Sequence, residues 1–248
     1  QDDNDLVGLI QQGEEGTVGA DFLAGRGQQE GRDAGGVVEA GADEYVLPPL
    51  WNTGSQKITW DLNLPTNIAD GWSWGSNYRF IGQCLLFLQQ LPQAKGVTDE
   101  QKRAWAAEAN FLLAYYHMVT LVAYGPCPIT DTYIDQATPE SEYNGRMHFD
   151  YVKDWICQKF DEVCEDGQLP ATRTGDEWGR ATSVMAKALK ARLLVYAASP
   201  LFNGSFPYKD WENTNFETPG YGKELISLKY DRKKWEVAKA ACQEAITA

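Results

Sequence analysis

The stretch from Thr98 to Ile129 constrains this chain more than any other, because its residues mark out one long helix together with both of its ends. Thr98 is a capping residue, and Gln101 three places on completes a capping box. Asp99 and Glu100 put negative charge in the first turn, where the helix dipole favours it. Trp105, Ala109, Leu112, Tyr116, Val119 and Ala123 follow at spacings that alternate between three and four, so they share one face. Phe111, Tyr115, Met118 and Val122 add a neighbouring apolar stripe. A helix apolar over so much of its circumference packs against neighbours on two sides. Gly125 ends it, and Pro126 and Pro128 prevent its continuation.

Other helices are legible around it. Asn77–Leu91 is expected as a first helix, stopped by Pro92, with Phe80, Cys84, Phe87 or Leu88, and Leu91 on one face. A third is expected over about 148–166, with a stripe of Phe149, Val152, Ile156, Phe160 and Val163. A fourth over 182–199 starts at Thr182 and stops at Pro200, and its alanines allow close helix approach. A fifth over 231–246 is capped by Asp231, with Trp235, Ala238, Cys242 and Ala245 on a stripe. The sequence thus implies a mainly α fold of TPR-like antiparallel helix pairs with little β, though no clean repeat period. The domain division expected is 1–75, a loop-rich segment with a Trp-rich stretch, and 76–248, the helical region. Glycines crowd residues 13–43, where only weak helices at 3–12 and 42–46 suggest themselves; residues 58–62 read as a short extended segment.

Composition narrows the partners. A net charge of −13 with no basic stripe argues against nucleic acid. No stretch is long and apolar enough to span a bilayer. Nine Trp and twelve Tyr exceed what a core of this size needs, and flat rings also serve sugar- or peptide-binding surfaces. The five cysteines form no C-x-x-C pair and read as buried free thiols, with Cys127 bridged to Cys84 or to Cys242 as the open alternatives. His117 and His148 stand at no metal-ligand spacing, and no metal or cofactor is expected.

Two readings compete for Gly71-Trp72-Ser73-Trp74-Gly75. As G-x-S-x-G it satisfies a nucleophile-elbow pattern, but no alternation of strands and helices supports the sheet an elbow needs, so no catalytic residue is assigned. As Trp72-x-Trp74-x-x-Asn77 it places two indoles in a Gly-flanked loop before a helix. There the rings can stack on sugar C–H faces while Asn77 offers an amide to hydroxyls. Against this, the indoles could plug the loop onto the core and Asn77 could cap the helix. Trp51 and Trp60 read as core or interface residues. Tyr208, Trp211 and Tyr221, in the loop over 200–228, are weaker ligand candidates.

Two long segments resemble the SusD/RagB family of nutrient-binding outer-membrane lipoproteins. Glu108–Pro128 is similar to the family's A-E-A-x-F-L-x-A-Y-Y…Y-G-x-x-P pattern. Gly179-Arg180-Ala181-Thr182 with Ala188-Leu189-Lys190-Ala191-Arg192 is similar to its G-R-A-T…A-L-K-A-R. Leu113 stands where the family often has Arg, and Gly125-Pro126-Cys127-Pro128 where it often has G-D-x-P. The resemblance implies a SusD-like N-terminal half, since family members run to about twice this length. It implies a non-catalytic surface protein that captures oligosaccharide, with peptide or a purely structural adaptor role as alternatives, and hands it to a SusC-like TonB-dependent transporter. It places such a protein on the extracellular face of the outer membrane, held by an N-terminal lipid anchor that is not in this chain. Trp72, Trp74 and Asn77 match the aromatic arc of the family's starch-binding founding member.

Overall fold

The computed structural model describes residues 73–135 and 137–248. The expected short elements at 3–12, 42–46 and 58–62, and Trp51, Trp60 and Trp72, lie outside the described residues. The chain divides into two compact units, residues 1–79 with 94–96 and residues 80–93 with 97–248.

Five helices carry the described fold: α1 (Trp74–Gln90), α2 (Asp99–Tyr124), α3 (Phe149–Glu162), α4 (Ser183–Ala198) and α5 (Arg232–Thr247). No strand forms among the described residues; two isolated antiparallel bridges, Glu212 with Glu224 and Thr218 with Gly222, tie the long loop after α4 to itself. The helices pack in chain order, α2 on α3, α3 on α4 and α4 on α5, as in the TPR-like arrangement expected.

Helix ends follow local chemistry. Thr98 Oγ1 accepts from Gln101 N–H at 3.2 Å and Gln101 Oε1 accepts from Thr98 N–H at 2.9 Å, so the capping box is complete. Gly125 closes α2 with a φ of +69°, a conformation that costs a side-chain-bearing residue strain. His148, Thr182 and Asp231 cap α3, α4 and α5, each accepting a backbone N–H from the first turn.

Packing corrects the sequence reading in two places. On α2 the stripe of Trp105, Ala109, Leu112, Tyr116, Val119 and Ala123 is buried only at Ala109, half-exposed at Trp105, Leu112, Tyr116 and Val119, and exposed at Ala123. The continuous buried stripe is Ala107, Phe111, Ala114, Met118 and Leu121, on the opposite side of the helix, and it takes in Phe111 and Met118 of the neighbouring stripe. Periodicity could not choose because both stripes are apolar. On α5, Trp235 is 43% exposed rather than packed, since only the small residues Ala238 and Ala241 fit against the Ala-rich α4. The stripe of α3, by contrast, is buried throughout from Phe149 to Val163. The five cysteines are free, as read, and neither alternative disulfide forms; Cys84, Cys127 and Cys157 are buried, and Cys164 and Cys242 are half-buried.

A buried ionic node explains why two separated motifs matter. Glu108, in the middle of α2, receives Arg180 in a fork, with Nη2 to Oε1 at 2.7 Å and Nε to Oε2 at 3.1 Å. Arg173 Nη2 also donates to Oε1, and its Nε donates to the Ala181 carbonyl at 2.9 Å. The Glu108 side chain is only 4% exposed, and the more open Glu177 carboxylate meets both guanidiniums from outside. Planar guanidinium against planar carboxylate is the geometry Arg supplies and Lys does not. The node fixes the approach of the chain to α4 against the flank of α2. A second clamp uses buried Asn203, which donates to the Ala198 and Asp231 carbonyls and accepts from Asp231 N–H at 2.7 Å, joining the end of α4 to the start of α5.

Candidate functional site

The first turn of α1 brings two of the three sequence-expected ligand residues together. The expected helix began at Asn77; it begins at Trp74. The Ser73 carbonyl accepts from Asn77 N–H at 3.0 Å and its Oγ accepts from Ser76 N–H at 3.4 Å, so Ser73 is the cap and Asn77 lies inside the helix. Trp74 is therefore held on a helical turn, not projected from a loop, and it is half-buried. Trp72 lies outside the described residues.

Residues three and four apart on a helix are neighbours on its surface. Trp74, Asn77 and Tyr78 accordingly form one patch, with the Trp74 and Tyr78 rings 5.0 Å apart and inclined at 37°. Tyr78 was missed by the sequence reading because only a helix that starts at Trp74 puts it one turn above the indole. Asn77 is 2% exposed, and its Nδ2 is buried without a hydrogen-bond acceptor among the described residues. A buried donor left in that state costs about 1–3 kcal/mol. The first turn thus sets an aromatic pair beside a buried amide donor that has no acceptor among the described residues.

Among the described residues, Ser73 and both histidines are engaged in structural hydrogen bonds. The Ser73 hydroxyl is engaged at the helix start. His117 is fully buried: its Nδ1 lies 2.8 Å from the Leu113 carbonyl and its Nε2 lies 3.1 Å from Thr130 N–H. That pattern fits only the neutral ring with Nδ1 donating and Nε2 accepting. Burial pulls its pKa down to about 4, against smaller opposing effects of the Leu113 carbonyl and Asp131. His148 is likewise buried, with Nδ1 accepting from Asp150 N–H at 3.1 Å and the ring stacked on Tyr221 at 3.9 Å. Its pKa is also pulled to about 4, first by burial, with Asp150 opposing and Lys234 and Lys153 assisting. Lys234 Nζ donates to Asp150 and to the Phe202 carbonyl, so these groups pin the loop after α4 onto α3. Tyr221 therefore serves as a packing ring. Among the described residues no group of three or more His, Cys, Asp or Glu is placed to hold a metal ion, and no helix is long and apolar enough to cross a membrane.

Comparisons with known proteins bear on this arrangement. No protein-family model and no curated protein matches the chain. Among solved structures, one named BT4246 is 55% identical and superposes with a TM-score of 0.76 over 86% of this chain and 36% of its own. A laminarin binding SusD-like protein shares the fold at 23% identity and a TM-score of 0.54, over 65% of this chain and 34% of its own. A SusD superfamily protein from Parabacteroides distasonis does so at 19% identity and 0.53, over 79% of this chain and 35% of its own. The chain spans about a third of the length of these structures.

Proposed function

The chain belongs to the SusD-like family, and from that premise we propose that it is the helical part of a cell-surface protein that captures oligosaccharide. It hands the ligand to a TonB-dependent outer-membrane transporter and is held at the extracellular face by a lipid anchor. The reading is of binding, not bond cleavage, because Ser73, His117 and His148 are all committed to structural hydrogen bonds. One observation carries it: the first turn of α1 sets the Trp74 and Tyr78 rings beside the buried, unsatisfied amide of Asn77. Sugar C–H faces stack on such rings, and a ligand oxygen would supply the acceptor that Asn77 lacks. Trp72, two residues before Trp74, would extend the same platform. The charge of −13 favours neutral over anionic glycans. That a laminarin binding protein has this fold makes neutral polysaccharides the class to try first.

The test is calorimetric titration of the full-length protein with soluble neutral polysaccharides and with peptides, alongside Trp74→Ala and Asn77→Ala. Loss of a ring stack and of an amide bond should each weaken glycan binding about tenfold, on the order of 1.4 kcal/mol. A glycan bound equally by wild type and both variants would remove this site. Binding of peptides alone would replace the ligand class.

A further inference from the structure

A second group of rings stands on the surface of the other unit. Phe206, Pro207, Tyr208, Lys209, Asp210 and Trp211 line an open cleft of about 540 Å³, inside the range of roughly 300–1,000 Å³ typical of small-molecule sites. We propose that this cleft is a second sugar-binding site, in which Tyr208 and Trp211 stack on one or two pyranose units of a neutral oligosaccharide. The proposal rests on the glycan-binding reading above but on none of the residues of the α1 turn.

The rings of the cleft are the outer end of a ladder that begins in the core. Phe149, at the start of α3, stacks on Phe202 at 4.1 Å and 7°. Phe202 lies 6.3 Å from Phe206, and Phe206 stacks on Trp211 at 5.5 Å and 8°. The six-membered ring of Trp211 rests on the turn that ends α2, where a Cβ added at Gly125 would come within 3.4 Å of its Cη2. The Trp211 carbonyl accepts from Leu225 N–H at 3.3 Å. The indole is thus held before any ligand arrives, which removes the ordering cost that a mobile ring would impose on binding.

Tyr208 is the outermost ring, edge-on to Phe206 at 5.8 Å and 69% exposed. Nothing in the packing requires an aromatic there. Lys209 and Asp210 lie between Tyr208 and Trp211 and make no ion pair among the described residues. They offer an ammonium donor and carboxylate acceptors at one rim, the complement a sugar hydroxyl uses in both directions. Their charges cancel, and one Lys beside one Asp on a strongly acidic protein gives no hold on a phosphate, sulfate or uronate. Two flat faces with a mixed donor–acceptor rim therefore select a neutral sugar.

The experiment is native affinity electrophoresis of the full chain in gels containing laminarin, amylopectin, galactomannan or xyloglucan, with calorimetry on whichever retards it. Wild type is compared with Tyr208→Ala, Tyr208→Phe and Trp74→Ala. Tyr208→Ala is expected to weaken binding at least fivefold with an unchanged thermal melt, because the side chain is exposed, and Tyr208→Phe to stay within twofold of wild type. Equal retardation of wild type and Tyr208→Ala, with Trp74→Ala weakened, overturns this proposal and leaves the α1 site standing. Loss in Tyr208→Ala with Trp74→Ala unaffected supports it and removes the α1 site. Retardation by none of the four polysaccharides overturns both.

Discussion

Glu108→Ala tests the ionic node at the centre of the helical region. The substitution removes three charge-assisted hydrogen bonds, one from Arg173 and two from Arg180. It also strands two guanidiniums whose side chains are only 7% and 12% exposed. Glu177 remains, but its carboxylate is largely open to water and screened, so it compensates little. Breaking a buried pair from one side costs about 3–5 kcal/mol, most of it the penalty of an uncompensated buried charge. For a region of this size each kcal/mol moves the melting temperature by about 2–4 °C, so a drop of roughly 10 °C is expected. Guanidinium unfolding followed by far-UV circular dichroism would measure it. A double-mutant cycle with Arg180→Ala isolates the pair, and a coupling of about 2–3 kcal/mol should appear, since residues in one network are not additive. Loss of less than about 1 kcal/mol in Glu108→Ala, or strictly additive single variants, would refute the reasoning and reduce the node to a surface feature.

Other outcomes follow from named contacts. The folded protein holds His117 neutral with a pKa near 4, below the ordinary value of about 6.5, so its contribution is full above pH 6.5 and lost as pH falls toward 4. Wild-type stability should fall in that window, and His117→Gln should flatten the slope by about 1.4 kcal/mol per pH unit in denaturation midpoints; an unchanged slope would mean the ring is not held neutral. Burial raises the Cys84 and Cys157 thiols to about 12 and Cys127 is buried, so a thiol reagent at pH 8 should label Cys242 first, Cys164 more slowly because burial raises its thiol too, and the other three only on unfolding. At Gly145 an added Cβ would sit 2.6 Å from Phe216 Cβ, so Gly145→Ala should destabilise by about 1–3 kcal/mol and loosen the loop after α4 in hydrogen exchange.

Much of the helical frame was open to reading because its signals are local. The Thr98–Gln101 capping box, the stop at Gly125 and the Asp231 cap each depend on residues within a few places of one another. The stripe of α3 was legible because polar residues flank it and define one face. On α2 apolar residues occur nearly all round, so the pattern gave the helix but not which side turns inward. Trp74 shows the same limit at smaller scale. Whether it belongs to a loop or a helix turned on a single cap at Ser73, and Tyr78 joined the site only once that cap was placed.

The sequence by itself determined where α2 to α5 start and where α2, α4 and α5 stop, though it carried α3 about four residues too far, and it showed that the fold is mainly α and that the segments around Glu108 and Arg180 resemble a family. It could not tell what those segments do. Only the tertiary structure decided that Glu108 and Arg180, 72 residues apart, close one buried ion pair, so that these two motif residues hold helices together. It alone assembled Phe149, Phe202, Phe206 and Trp211 into a ladder ending at an exposed Tyr208. The physical reason is range: caps and turns act between near neighbours in the chain, whereas burial, ion pairing and ring stacking act between whichever groups the packed helices bring face to face.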